Sequence, residues 1–197
     1  MASRILRRSV TEAGNVRLTV FEEHFEGNRK RVFTLSREDD GRLGSPAAGE
    51  EIDDELISSL AEAEGRLRAT EKAISLLSYG DNSPAALCRK LRSRGYDRES
   101  AEAAVATMIG KGYIREEEQA SRLAVACATR KLWGRRRIVS YLVGRGYSAS
   151  LAREVIETAE REGEIDFEAI KEELIEKKLD GEASYEEKRK LLFRYGH

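Results

Sequence analysis

A short motif that returns at a fixed interval limits the folds open to this chain more than any other feature. Residues 83–96 read SPAALCRKLRSRGY and residues 134–147 read GRRRIVSYLVGRGY. A weaker copy, EEKRKLLFRYGH, ends at His197. Aligned on Gly95, Gly146 and Gly196, the copies are 51 and 50 residues apart. A period of that length marks a repeat array, in which each unit buries its apolar face against its neighbours. The expectation is a mainly α protein: tandem three-helix repeats forming an elongated, curved array, with a small N-terminal β-hairpin region.

Each copy reads as the middle helix of its unit. Ser83 is a good N-cap, and Pro84 occupies the first helical position, where its missing N–H is harmless. Leu87 and Leu91 form the apolar stripe, Arg89 points away from it, and Gly95 closes the helix. In the second copy Ile138, Val139 and Leu142 face inward and Arg137 points most directly outward. Arg136 and Tyr141 lie on its flanks, with Arg135 and Arg145 nearer the inner side. A first helix with an alanine-rich face (Ala120, Leu123, Ala124, Cys127) precedes this one, and a third helix starts at Ser148. The Gly163-Glu164-Ile165 turn lies 51 residues after Gly112-Tyr113-Ile114 and opens a third unit. That unit stops where its last helix is due, which suggests truncation.

Ahead of the repeats, Val16, Leu18 and Val20 alternate with polar residues, and a second β-rich run spans Val32–Leu35. EGNRK between them, residues 26–30, suits a tight turn, so 15–36 reads as a hairpin with Ile5–Val10 as a possible edge strand. Residues 37–49 have the Gly, Ser and Pro of a linker. A helix follows from about Glu51, interrupted at Gly65, with a new helix over 67–78. The division is therefore 1–49 hairpin and linker, 50–110 leading helix and repeat 1, 111–162 repeat 2, and 163–197 repeat 3.

The net charge of −1 conceals a segregation. Residues 1–82 carry 12 basic and 16 acidic side chains, residues 83–147 carry 14 and 6, and residues 148–197 carry 9 and 14. The basic middle holds both good repeat copies and points to a polyanion or an acidic protein surface. No apolar run is long enough to span a membrane, and the basic start lacks the apolar stretch of a secretion signal. Cys88 and Cys127 lack CxxC spacing and suit a reducing cytoplasm, and His24 and His197 stand far apart. No nucleophile–histidine pair, phosphate-binding glycine loop or metal-ligand cluster is present, so neither an enzyme nor a cofactor is expected.

The runs AISLLSYGDNSPAALCRKLRSRGY, GYIREEEQA and WGRRRIVSYLVGRGY, in that order, resemble RecX, the regulatory protein of the RecA recombinase. Ala73, Leu77, Ser78, Ser83, Leu87, Lys90 and Leu91 match that family's first helical motifs. Gly112 and Tyr113 match its turn, and Gly134, Arg137, Ile138, Leu142 and Gly146 match its next helix. Departures are Ala86 in place of Glu, Arg115 and Glu116 in place of paired aspartates, and Gln119 in place of an aromatic. The resemblance implies a cytoplasmic monomer that binds the RecA–single-stranded DNA filament and lowers its recombinase and coprotease activities.

The residues themselves supply two candidate patches. Arg89, Lys90, Arg92 and Arg94 form one, and Arg135, Arg136, Arg137 and Arg145 the other, with Tyr141 a candidate stacking partner. Tyr96 and Tyr147 follow helix-ending glycines and are expected to fold back on their own turns. The alternative is a helix-turn-helix-like nucleic-acid-binding protein independent of RecA. The cations spread along each helix, however, which suits phosphates better than base edges.

Overall fold

Alternation of buried and exposed residues, most regular over Val16–Glu22, builds the N-terminal sheet. The computed structural model describes residues 3–23 and 27–197. Part of the expected hairpin turn, residues 24–26 including His24, lies outside the described residues. Strands β1 (Ser3–Val10), β2 (Val16–Glu22), β3 (Arg29–Leu35) and the two-residue β4 (Glu51–Ile52) form an antiparallel sheet in the order β3-β2-β1-β4. β1 is thus an inner strand along Ser3 and Arg4, where β4 pairs with it. Val16, Leu18 and Val20 of β2 point into one face with Ile5, Phe33 and Leu35, and all six are buried. The period of two places every second side chain on that face.

The segment read as a linker contains a helix, α1 (Arg37–Arg42). Ser36 caps it, accepting from the Asp39 N–H at 3.0 Å. Its two central carboxylates are buried, which composition does not reveal. Arg8 of β1 donates to both oxygens of Asp40, at 2.5 and 2.6 Å, and Ser45 Oγ donates to it at 3.0 Å. The Arg8 hydrogen bonds hold the Asp40 carboxyl below the usual carboxylate range. Arg66 donates to Asp39 at 2.8 Å. A bidentate arginine fork is among the stronger polar contacts in a protein.

Gly65 does not break the next helix: α2 runs unbroken over Asp54–Leu77. The glycine serves close packing instead. A Cβ there would stand 3.0 Å from Ser100 Oγ at the start of α4 (Arg98–Gly110). Leu60 and Ala63 of α2 seal the open face of the sheet, and Ala101, Ala104 and Met108 of α4 are buried.

The remaining helices are α3 (Pro84–Arg92), α5 (Glu116–Lys131), α6 (Arg135–Gly144), α7 (Ala149–Arg161), α8 (Phe167–Lys178) and α9 (Tyr185–Tyr195). The chain divides into two compact units, Met1–Ser78 with Cys88–Gly110, and Tyr79–Leu87 with Lys111–His197. The second unit has an alanine-lined core: Ala120, Ala124 and Ala128 of α5 meet Ile138 and Leu142 of α6 and Ala152, Val155 and Ile156 of α7. Phe167, Ile170 and Leu174 of α8 extend it, together with Leu191 of α9. Small side chains let helices approach closely, which compensates for the short apolar stripes of a heavily charged sequence. Cys127 belongs to this core and Cys88 is half-buried; both are free thiols. Among the described residues no helix is long and apolar enough to cross a membrane.

Candidate polyanion-binding surfaces

The repeated glycines explain how the middle helices are arranged in the second unit. Gly146, just past α6, has φ +96° and lies against the N-terminus of α3. A Cβ on it would stand 2.7 Å from Ser83 Oγ and 3.3 Å from the Ala86 nitrogen. Ser83 Oγ donates to the Arg145 carbonyl at 2.8 Å and accepts from the Ala86 N–H at 3.2 Å. The same contact recurs one period later. Gly196, with φ +85°, lies against the N-terminus of α6, and a Cβ on it would stand 2.6 Å from the Arg137 nitrogen.

This docking caps α6, whose Gly134 N-cap has no side chain to offer. The Gly134 N–H donates to the Tyr195 carbonyl at 2.8 Å, and the Arg136 N–H to the Gly196 carbonyl at 3.2 Å. Both are donors a helix start leaves unpaired. A bare glycine at position 134 is also a steric need, since any Cβ would collide with the Gly196–His197 backbone. His197 completes the junction: its Nε2 pairs with the Leu132 carbonyl at 3.1 Å, while its buried Nδ1 has no partner among the described residues. A carbonyl only accepts, so Nε2 carries a proton and donates it. Burial lowers its pKa below the ordinary 6.5.

The α6 cations are held by this junction and by the flanking helices. Arg135 forms an ion pair with Glu160, with Nε at 3.0 Å, and lies 4.7 Å from the centre of the Phe167 ring. Arg136 donates to the His197 carbonyl at 2.5 Å and sits 5.2 Å from the Phe193 ring. Arg137 is the least exposed of the three. Its guanidinium lies 4.5 Å from the centre of Trp133 and 5.4 Å from that of Tyr195, and it donates to the Arg194 carbonyl at 3.0 Å. The expectation that Arg137 points most directly outward is therefore corrected: α9 occupies the direction the helical wheel left open. Arg135 and Arg145, expected nearer the inner side, are exposed.

Tyr141 is half-buried and meets Trp133 edge to face at 5.4 Å, with Lys131 and Arg145 at 5.2 and 5.4 Å from its ring. Tyr147 is buried in the core, as a turn-packing residue should be, and burial raises its phenol pKa. Tyr96 is half-buried.

The α3 patch differs. Arg89, Lys90, Arg92 and Arg94 are all exposed. Arg94 donates to the Lys90 carbonyl at 2.8 Å, and among the described residues neither Arg89 nor Arg92 has a carboxylate partner. Leu87 and Leu91 are fully buried on the opposite side, so the charges project from a helix anchored by its apolar stripe. Gly95, the counterpart of Gly146 and Gly196, has φ +89° and, among the described residues, nothing within 4 Å of its missing side chain. Sequence reasoning missed Lys131 and Trp133, which join the α6 cluster. Their signal was a lone tryptophan flanked by cations at a helix boundary. Among the described residues no group of His, Cys, Asp and Glu side chains has the arrangement of a metal site.

No protein-family model and no curated protein sequence matches this chain. Solved structures do. The crystal structure of regulatory protein RecX superposes with a TM-score of 0.74 at 15% identity, covering 99% of this chain and 94% of that one. The fold is that of RecX. RecX from Lactobacillus salivarius matches with a TM-score of 0.57 at 18% identity, over 68% of this chain and 90% of its own. The first RecX superposition includes the N-terminal sheet as well as the helices, because it spans almost the entire chain. The identities are low enough that the side chains of the two patches have to be judged on their own geometry.

Proposed function

We propose that this chain is a RecX-type regulator, a cytoplasmic monomer and not an enzyme. It binds the RecA–single-stranded DNA filament and lowers its recombinase, ATPase and coprotease activities in DNA repair and the SOS response. The observation that carries this reading is the RecX fold along 99% of the chain. The α3 patch adds chemistry in the same direction. Three exposed cations on a short, well-anchored helix and a fourth, Arg94, in the turn after it suit phosphates or the acidic surface of a filament, and their interaction with either weakens as salt rises.

A regulator of this kind needs no single strong contact. Several weak contacts made by one folded body act as linked sites, and their combined avidity exceeds each alone. The patches Arg89–Arg94 and Arg135–Arg145 would contribute unequally, because the α6 arginines already have intramolecular partners.

The test is binding to RecA alone, to single-stranded DNA alone, and to the ATP-bound filament, with ATP hydrolysis followed in the same titration. Preferential filament binding with falling hydrolysis is the expected result. Equal binding to bare DNA with unchanged hydrolysis would replace this reading with general nucleic-acid binding by helix-turn-helix-like units.

A further inference from the structure

The N-terminal sheet has one face sealed by α2 and one face open. The strand register sorts the open face into rows. Arg4, Phe21 and Lys30 stand side by side on β1, β2 and β3, with Glu51 of β4 next to Arg4. The next row is Arg7, Thr19 and Val32, and the one beyond it Ser9, Arg17 and Thr34. Leu6, where the β1–β2 register shifts, lines the same face beside Arg4 and Phe21. Leu6 is 45% exposed and Val32 50%, so among the described residues no helix packs over this face.

Phe21, half-buried, borders a recess of about 400 Å³ together with Leu6, Arg4, Lys30, Glu23 and Glu51. Two cations against two carboxylates leave the recess without net charge, and Arg4 is paired with Glu51 at 3.6 Å. A phosphate gains little there. A nucleobase suits it: the ring of Phe21 offers a surface for stacking, and the surrounding groups both donate and accept along a base's edge. Away from the recess the balance changes. Arg7 and Arg17 are exposed, and among the described residues neither has a carboxylate partner. At about 3.3 Å per residue, their rows lie roughly 7 and 13 Å from Phe21 along β2, a spacing close to that of successive phosphates in an extended single strand.

We infer that the open face of the sheet binds a single strand of nucleic acid, with one base stacked on Phe21 in the recess and the phosphates that follow it paired with Arg7 and Arg17. An aromatic ring on the open face of an antiparallel sheet, with cations beside it, is a recurring platform for unpaired bases. A duplex keeps its bases stacked on one another and offers none to Phe21. An acidic protein segment would set its carboxylates against Glu23 and Glu51. The site uses no residue of either basic patch and goes beyond the filament reading, which rests on the fold and on α3.

The test is fluorescence anisotropy of a short labelled oligothymidylate at low salt. It uses the full chain carrying Arg89→Glu and Arg92→Glu, so that the α3 patch does not contribute. Binding is expected. Phe21→Ala should weaken it roughly tenfold, the effect of losing one stacked base, with the salt dependence unchanged. Phe21→Tyr should keep it. Arg7→Glu combined with Arg17→Glu should weaken it at least as much and flatten the dependence on salt. An oligomer of abasic sites reads the stacking with the protein unaltered, and should bind roughly tenfold more weakly than oligothymidylate. That arm decides the matter even where circular dichroism shows Phe21→Ala to be unfolded. No binding of oligothymidylate, equal binding of the abasic oligomer, or equal binding of a duplex of the same length overturns the proposal. So does a folded Phe21→Ala variant that binds unchanged. Displacement of oligothymidylate by polyglutamate as effectively as by the unlabelled oligomer would assign the face to an acidic protein instead. No recombinase is present, so failure here leaves the filament reading standing.

Discussion

The two basic middle helices began as near-copies and ended in different circumstances. Arg89, Lys90 and Arg92 of α3, and Arg94 in the turn that follows, are exposed beside an anchored helix. In α6 Arg135, Arg136 and Arg137 are engaged by Glu160, His197 and Arg194, and by the rings of Phe167, Phe193, Trp133 and Tyr195. The cause is where the cations lie along each helix. Both helices receive a glycine turn at the N-terminus, Gly146 at α3 and Gly196 at α6, but only α6 carries arginines in its first turn, within reach of the carbonyls and rings brought there. A count of basic residues measures charge; what a partner meets is the charge that neighbouring repeats leave uncommitted.

The sharpest test of this difference exchanges the glycines. Gly146→Ala combines a left-handed backbone with a collision against Ser83 and should destabilise the second unit by about 3 kcal/mol. Gly95→Ala has the same backbone strain but open space around it, and should cost only about 1 kcal/mol. Urea unfolding of both variants checks the pair. Equal losses would mean that the glycine turns are capped helices and nothing more.

The next effect is on binding. Arg89→Glu combined with Arg92→Glu should lower filament affinity roughly ten- to hundredfold at low salt, with stability changed by less than about 0.5 kcal/mol. Titration of the ATP-bound filament at two salt concentrations reads this directly. Arg137→Ala should show the reverse pattern. It removes two ring contacts and a carbonyl hydrogen bond, so stability should fall by about 1 kcal/mol while filament affinity changes little.

The smallest effect is a pH dependence confined to the α6 junction. His197 has its pKa lowered by burial, so the undocked form takes up a proton that the docked form resists. Its contribution is present in full above about pH 6.5, the ordinary value, and is lost as pH falls from there toward the lowered one. Trp133, the chain's one tryptophan, lies beside Arg137 at this junction, and its fluorescence should change over that interval. His197→Asn should abolish the change; persistence in that variant would assign it elsewhere.

Much of this architecture was legible in the sequence because the repeat period and the apolar stripes are local signals. Ser83-Pro84 located the start of α3, Gly95 its end, and the spacing of Leu87 and Leu91 its buried side. What escaped depends on partners distant in the chain. Asp39 and Asp40 looked like linker residues because their arginines are 27 and 32 positions away. Gly65 looked like a break, since nothing local shows that Ser100 comes to rest against it. Of the candidate patches, the identity of the cations was readable and their availability was not. The helical wheel gave Arg137 its direction but had no means of placing Trp133 and Tyr195 there.

The docking of Gly196 on α6 also sets a timetable for synthesis. Arg136 and the residue that receives its guanidinium donor are 61 positions apart. At translation rates of about 5–20 residues per second, roughly 3–12 s separate their appearance. Throughout that interval α6 has neither its terminal cap nor the carbonyls that later restrain its arginines. The nascent chain thus passes through a stage in which Arg136 is made but the carbonyl it donates to is not, while Trp133, the ring beside Arg137, is already in place.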